Sequence, residues 1–383
     1  MSRKLSDMSS KFNRSADGDP YLLTPGPLTT SSSVKAAMLH DYGSRDERFI
    51  ELSTQISGRL LDIANATETH ECVPLQGSGT FVVEAMLATM LPASGKLLNL
   101  VNGAYGHRIS EICRYLGREY QVQESAENVV IDLALLEETL ANDKGITHVA
   151  VVYCETTSGI LNPLTAVAEI VHKNRRKLLV DAMSAFGALP VDAVEWQFSG
   201  LAASSNKCLQ GVPGVGFCLI NRQSLDQCEG NAHSLSLDLY AQARAFKMNG
   251  QWRFTPPVQC LLALSQALVE LEEEGGVKAR LKRYQNNCAI LRDGMRALGF
   301  ETYLPDQLQA PIIVTFMVPA DDRFDFETFY RLMAGKGFLI YPGKITKADT
   351  FRIGCIGDIS DKQIQAAVEA VEISLSELGL AGF

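Results

Sequence analysis

Lys207 stands between a run of small polar residues and a glycine-rich turn, in the stretch GLAASSNKCLQGVPGVG that covers residues 200–216. A lysine that only solvates a surface has no need of such a setting, whereas an amine with clearance around it can act as a nucleophile. Most lysines are nevertheless exposed charges, so the reading depends on what the rest of the chain delivers beside it. Three other segments carry chemistry. Gly77-Ser78-Gly79-Thr80 follows a strand-like Cys72–Gln76 and opens an apolar helix over 81–91. Backbone N–H groups and two hydroxyls there meet the positive end of a helix dipole, which suits a phosphate. Taken alone, the segment reads better as an ordinary strand-to-helix turn with Ser and Thr caps. A dinucleotide fingerprint would need glycine where Val82 stands, and no phosphate-binding loop of the GxxxxGK[ST] type occurs. Asp181 ends the run Lys177-Leu178-Leu179-Val180, and a carboxylate at the tip of a buried strand must either cap the next helix or meet a cation. Tyr105 follows an apolar run over 97–101; it is a half-buried aromatic or one wall of a site for a flat ring.

The elements that must position these groups show in the periodicity. Between about residues 70 and 220, short apolar runs at 97–101, 148–153, 178–180, 200–203 and 216–220 alternate with amphipathic stretches such as 164–172. That alternation predicts a mostly parallel sheet covered on both faces, an architecture whose ligands sit at the carboxyl ends of the strands. The predicted strands are followed in turn by Asn102-Gly103-Ala104-Tyr105, Glu155-Thr156-Thr157, Asp181, and Ser204-Ser205-Asn206-Lys207. Segments distant in sequence therefore deliver polar groups to one rim. Helices are expected over 34–39, 49–64, 235–246, 258–274 and 277–298, the fourth stopped by Gly275-Gly276. Beyond them, 312–318, 326–336, 338–341, 350–353 and 362–378 form a β-α-β-β-α module, a second and smaller α+β domain. The expected division is a flexible tail over 1–19, a large domain over 20–260, and a connecting helix with the small domain over 261–383, the alternative being that the N-terminal segment joins the small domain.

The composition is that of a globular chain: 383 residues, 46% hydrophobic and 21% charged, with no apolar run long enough to cross a bilayer. A net charge of -9 argues against a nucleic-acid surface. The nine cysteines are scattered without a CxxC pair, which points to neither a disulfide framework nor a metal site. The N-terminus lacks the apolar core of a signal peptide, so a reducing, cytoplasmic setting is expected.

A phosphate-binding helix start, an aromatic wall, a strand-end carboxylate and a lysine are together the parts that a pyridoxal 5'-phosphate site requires. The phosphate needs donors, the ring nitrogen needs an anion that keeps it protonated, and the aldehyde needs an amine. Longer stretches carry a resemblance: Leu23–Thr30 (LTPGPLTT), Leu75–Gly79 (LQGSG), Asn102–Gly106 (NGAYG), Glu155–Gly159 (ETTSG), Val180–Ser184 (VDAMS), Ser205–Gly214 (SNKCLQGVPG), Ser234–Tyr240 (SLSLDLY), Trp252–Thr255 (WRFT), Tyr341–Lys344 (YPGK) and Phe351–Gly354 (FRIG). From Tyr21 to its last helix the chain resembles the 2-aminoethylphosphonate:pyruvate aminotransferases, a branch of the class V group of fold-type I pyridoxal-phosphate enzymes.

That resemblance implies an α/β large domain around a mostly parallel seven-stranded sheet, a smaller C-terminal domain, and transfer of an amino group from 2-aminoethylphosphonate to pyruvate in phosphonate degradation. It implies Lys207 as the catalytic lysine that joins the cofactor, Asp181 as partner of the ring nitrogen, and Tyr105 as the residue stacked on the ring. Ser78, Gly79 and Thr80 would hold the phosphate and Thr156 the ring hydroxyl region. A homodimer with a shared active site is implied, in which Thr255 reaches the partner's cofactor phosphate. Substrate contacts fall to Arg352, whose planar fork suits both carboxylate and phosphonate, to Gly26, and to Arg45. Two other readings remain open at this point. One is a relative using another amino donor, of the serine- or alanine-glyoxylate type, or a lyase on the same cofactor; the other is a cofactor-free scaffold.

Overall fold

The computed structural model describes residues 14–341 and 346–380. Seven of its strands form the central sheet: β2 (His70–Gly77), β3 (Lys96–Val101), β4 (Glu119–Glu124), β5 (Ile146–Val152), β6 (Lys177–Asp181), β7 (Gly200–Ser204) and β8 (Gly214–Asn221), preceded in the chain by β1 (Tyr21–Leu23). The spatial order is β2-β8-β7-β6-β5-β3-β4. Only β8 runs against its neighbours; the pairs β7–β6, β6–β5, β5–β3 and β3–β4 are all parallel. The sequence-based expectation of a mostly parallel sheet is met.

Alternation along each strand divides the core between the two faces of the sheet. Leu98, Leu100, Val149, Val151, Leu178, Val180, Leu201 and Ala203 belong to one apolar cluster, while Leu97, Ala150, Val152, Leu179 and Ala202 belong to the other. Successive side chains of a strand point to opposite faces, and helices on both sides turn each strand into a continuous apolar run. Those helices are α1 (Ser32–Ala37), α2 (Glu47–Ile63), α3 (Gly79–Met90), α4 (Ala104–Tyr115), α5 (Leu133–Asn142), α6 (Leu164–Lys173), α7 (Leu239–Asn249), α8 (Val258–Glu274) and α9 (Gly276–Ala297). Phe49, Ile56 and Leu60 of α2 and Leu261, Leu264 and Leu268 of α8 fill the first cluster. Val82, Val83 and Met86 of α3 and Ile109 and Ile112 of α4 fill the second.

The last part of the chain builds β9 (Ile313–Met317), α10 (Phe326–Gly335), β10 (Phe338–Ile340), β11 (Thr350–Gly354) and α11 (Asp361–Glu377), the β-α-β-β-α order read from the sequence. A third cluster gathers Phe300, Phe316, Phe329, Phe351 and Ile364 there, and Tyr21 and Leu23 join it because β1 pairs in parallel with β10. The expected tail over 1–19 falls outside the described residues up to residue 13. From residue 15 to 19 the chain turns back on itself, and Asp17 and Asp19 both pair with Lys35 of α1, at 2.7 and 2.8 Å. Pro342 to Lys344, part of the resemblance, also lie outside the described residues.

Some boundaries differ from those the periodicity predicts. The helix expected from 235 begins at Leu239, because the Asp238 side chain accepts the Ala241 N–H at 2.9 Å and fixes the start. Helices α4 and α5 and strand β4 are additions to the predicted elements. In β4, EYQVQE, only Tyr120 and Val122 are apolar, and the strand lies on the sheet edge where burial imposes little pattern. Among the described residues no helix is long and apolar enough to cross a membrane.

Candidate active site

Because β8 is antiparallel to both β2 and β7, the carboxyl ends of β2, β3, β5, β6 and β7 all meet at one rim. Register fixes this: Gly214 of β8 faces Gly77, the end of β2, and Gly216 faces Ser204, the end of β7. A cavity of about 410 Å³ opens at that rim. Its wall includes Ser78, Gly79 and Thr80 from the start of α3, Tyr105 from α4, Thr156 after β5, and Asp181 at the end of β6. Lys207 comes from the turn after β7 and Gly26 from the segment after β1.

Lys207 is held by its turn. The Gln210 N–H donates to the Lys207 carbonyl at 2.9 Å, the Gly211 N–H donates to the Ser205 carbonyl at 2.8 Å, and the Ser205 hydroxyl donates to the Val215 carbonyl at 3.0 Å. From α9, the buried Arg280 donates Nη1 to the Cys208 and Leu209 carbonyls at 3.0 and 3.3 Å, while its Nη2 pairs with Glu274 at 2.8 Å. The Lys207 Nζ donates to the Gly26 carbonyl at 3.1 Å. A Cβ on Gly26, whose φ is +122°, would stand 2.5 Å from Lys207 Cδ, so only glycine lets the lysine pass. Burial lowers the Lys207 pKa from the usual ammonium value, with Asp181 acting in the opposite direction. The neighbouring Cys208 is no competing nucleophile, since burial pushes its thiol up to about 12.

Asp181 is raised to about 6, chiefly by burial, although the Met183 N–H donates to its Oδ1 at 2.9 Å. Of the two fates read from the sequence, the carboxylate takes a local backbone donor and also faces the cavity. A buried carboxyl so raised is suited to a cationic partner, which is what a protonated pyridine nitrogen offers. The start of α3 offers free donors: the Ser78 side chain makes no capping hydrogen bond, and the first N–H groups of a helix lack intrahelical partners. The residues present therefore fit pyridoxal 5'-phosphate at both its ring nitrogen and its phosphate.

Tyr105 is set by a residue that the sequence marks only as part of a polar run. Glu155 is fully buried, and its Oε2 accepts the Tyr105 and Gly106 N–H groups at 3.1 Å each, while Oε1 accepts the Thr157 N–H at 3.0 Å and the Thr157 hydroxyl at 2.6 Å. It ties the start of α4 to the end of β5. Gly103 makes that approach possible, because a Cβ there would lie 2.4 Å from Glu155 Cγ.

Arg352 does not reach the cavity surface. It is 1% exposed, donates Nη1 to the Thr156 carbonyl at 2.7 Å, and lies with its guanidinium 4.5 Å from the centre of the Tyr341 ring. Its Nη2 has no hydrogen-bond partner among the described residues, which leaves a buried charged donor directly behind the Thr156 wall. Thr255 lies in a separate groove with Trp252, Phe254 and Phe81, which shares Gly77 with the cavity. Arg45 is exposed on the segment before α2 and takes no part in either surface. Sequence reasoning misses two further residues. Arg280 acts from another helix and has no local signature. Arg108 lines the cavity, and its signal, a position three residues after Tyr105, becomes visible only once α4 is known to be a helix.

Comparison with known proteins agrees with this geometry. The family model described as aminotransferase class-V matches residues 30–338. Among curated relatives, 2-aminoethylphosphonate--pyruvate transaminases of Pseudomonas fluorescens and Pseudomonas putida are each 50% identical over 94% of this chain and 98% of their own length. Among solved structures, the pyridoxamine-pyruvate aminotransferase of Mesorhizobium loti superposes with a TM-score of 0.86 at 22% identity, covering 95% of this chain and 94% of that one.

Proposed function

The chain belongs to the class V aminotransferases, and on that premise we propose that it transfers the amino group of 2-aminoethylphosphonate to pyruvate, giving phosphonoacetaldehyde and L-alanine. The observation that carries the reading is the meeting of Lys207, Asp181, Tyr105 and the Ser78–Thr80 helix start around one cavity, in a chain half identical to transaminases of that name. Bound there, pyridoxal 5'-phosphate supplies an electron sink and a carbonyl carbon that accepts and returns the amino group.

Each residue then has a task. Lys207 would hold the cofactor's carbonyl carbon through Nζ and, with the substrate amine in its place, would take up and return a proton at Nζ as general base and acid; its lowered pKa enlarges the neutral fraction that attack and proton abstraction need. Asp181 would hold a proton at the pyridine nitrogen, Tyr105 would cover the ring, and Thr156 would lie toward its hydroxyl. Ser78, Gly79 and Thr80 would donate to the phosphate. Gly26 leaves the amine its path. Arg352, whose unpaired Nη2 lies behind the Thr156 wall, would anchor the phosphonate of one substrate and the carboxylate of the other by turning that donor into the cavity. Arg45, exposed and away from the cavity, has no part in the proposal.

The reading includes a homodimer. Thr255 sits beside the half-exposed Phe81 and Phe254, in a groove that adjoins the cavity at Gly77, and covering those rings with a second copy would bring Thr255 to the partner's phosphate site. It also includes a large domain over 20–260, a connecting helix and small domain over 261–383, with the N-terminal strand β1 joining the small domain, and a cytoplasmic setting, for which nine unpaired cysteines are suited. A coupled assay for alanine decides the substrate, run with 2-aminoethylphosphonate, serine and alanine as donors and pyruvate and glyoxylate as acceptors. Turnover concentrated on 2-aminoethylphosphonate with pyruvate supports the reading; preference for serine with glyoxylate refutes it. Lys207→Ala should abolish turnover and the absorbance of lysine-bound cofactor, and retained turnover removes Lys207 from its role.

A further inference from the structure

The charges that surround the cavity do not balance the ligand the site is proposed to hold. Of the charged groups in the wall, Asp181 is taken by the protonated ring nitrogen and Lys207 is used in joining the cofactor, while Arg352 and Glu155, opposite in charge, are buried behind the wall rather than in it. A phosphate ester adds about -1.5 to -2 near neutral pH, and a helix start offsets only about half a unit. Neutral hydroxyls and N–H groups at Ser78–Thr80 direct hydrogen bonds at a phosphate but leave most of its charge uncompensated.

One further cation lines the same wall. Arg108 sits three residues after Tyr105 on α4, and residues at that spacing share a helix face. Its guanidinium lies 5.0 Å from the centre of the Tyr105 ring, and its Nη1 donates to the Thr80 hydroxyl at 3.4 Å, a long contact that leaves most of the fork free. Stacking on the ring fixes the plane of the guanidinium, and the Thr80 contact fixes the edge turned to the start of α3. Arg108 is thus the positive group beside the phosphate cradle, on an exposed side chain that loses little solvation until an anion arrives.

We propose that Arg108 is the counter-ion of the cofactor's phosphate, bridging the Ser78–Thr80 donors and the outer face of Tyr105. The inference rests on the cofactor reading above. Two roles differ from it: a second anchor for the substrate phosphonate, and simple packing against Tyr105.

The test compares pyridoxal 5'-phosphate with pyridoxal, which lacks the phosphate. Purified holoenzyme of the unmutated chain, Arg108→Gln and Arg108→Lys is resolved of its cofactor, and equilibrium dissociation constants for both compounds are read from quenching of tryptophan fluorescence. Loss of one charge-assisted contact should weaken pyridoxal 5'-phosphate by about tenfold or more in Arg108→Gln, while pyridoxal changes less than about twofold. Arg108→Lys should recover part of the loss, and raising the salt concentration should narrow the gap between the unmutated chain and Arg108→Gln. Equal weakening of both compounds assigns Arg108 to packing and overturns the proposal. Unchanged affinity for pyridoxal 5'-phosphate, with a KM for 2-aminoethylphosphonate raised tenfold, assigns it to the substrate and overturns the proposal as well. Failure of the unmutated protein to bind either compound overturns the cofactor reading itself.

Discussion

Replacing Asp181 by asparagine should make the cofactor-free protein more stable at pH 8 and the cofactor-loaded protein less so. In the folded chain the Asp181 carboxyl is raised from 3.8 to about 6, mainly by burial. Because the folded value lies above the unfolded one, folding favours the protonated form. That contribution is complete below pH 3.8 and is lost as the pH rises through about 6, beyond which the folded protein carries a buried carboxylate at a cost. The difference of about 2.2, at about 1.36 kcal/mol for each pH unit, amounts to roughly 3 kcal/mol at pH 8, and linkage leaves about half of it at pH 5. Asparagine keeps an acceptor for the Met183 N–H, now at 2.9 Å, and removes the charge. An unfolding entropy of about 2.1 cal/mol/K per residue gives roughly 0.8 kcal/mol/K for 383 residues, so the midpoint should rise by about 4 °C at pH 8 and about 2 °C at pH 5. Calorimetric melting of the two cofactor-free proteins at both pH values measures this. Adding pyridoxal 5'-phosphate should reverse the order, because a protonated ring nitrogen turns the carboxylate from a buried cost into a paired group. A variant that melts at or below the unmutated chain at pH 8, or a gap that does not widen with pH, refutes the reasoning.

Arg352→Ala should raise KM for 2-aminoethylphosphonate and for pyruvate alike, by about tenfold to a hundredfold for loss of a charged donor; a rise confined to pyruvate contradicts the shared anchor, and Arg352→Lys should restore little because an ammonium cannot hold the Thr156 carbonyl and present a second donor in one plane. Arg280→Met strips the Cys208 and Leu209 carbonyls of their donor and removes one of two arginines from Glu274, which keeps Arg283 at 2.8 Å, at a cost of about 1–3 kcal/mol. A lower melting midpoint with weakened cofactor binding is the expected result, and unchanged melting would show that the loop after Lys207 holds itself. Gly103→Ala forces a methyl group within 2.4 Å of Glu155 Cγ, with an expected loss of about 1–3 kcal/mol, checked by thermal melting.

How much of the fold and site is legible in the sequence depends on how local each cause is. The strands of the sheet are short, apolar and bounded by polar turns, so the pattern alone places Asp181, Tyr105 and Lys207 at strand ends. The glycine and hydroxyl run at 77–80 stands out for the same reason. Strand β4 is not legible because an edge strand half open to water needs no apolar face, and α4 is obscured by a start, Ala104-Tyr105-Gly106-His107, that carries no apolar period. The pairing of β1 with β10 joins opposite ends of the chain, and no local pattern encodes it. Arg280 and Arg108 escape notice because an arginine on a helix gives the same signal whether it faces water or a site.

Asp181 and Glu155 show why such a site needs its cofactor as much as the cofactor needs the site. Two carboxylates lie near the same end of the sheet, each raised by burial, and Glu155 adds to the rise at Asp181. Glu155 is satisfied from within, by four donors that lock α4 to the end of β5. Asp181 has a single backbone donor and lies open to the cavity. The first carboxylate therefore serves the scaffold and the second waits for a ligand, a division set by the number of donors around each rather than by depth of burial. Exchanging the charge at 181 for an uncharged side chain should relieve the fold at the expense of the chemistry, the trade expected wherever a strained group is kept for function.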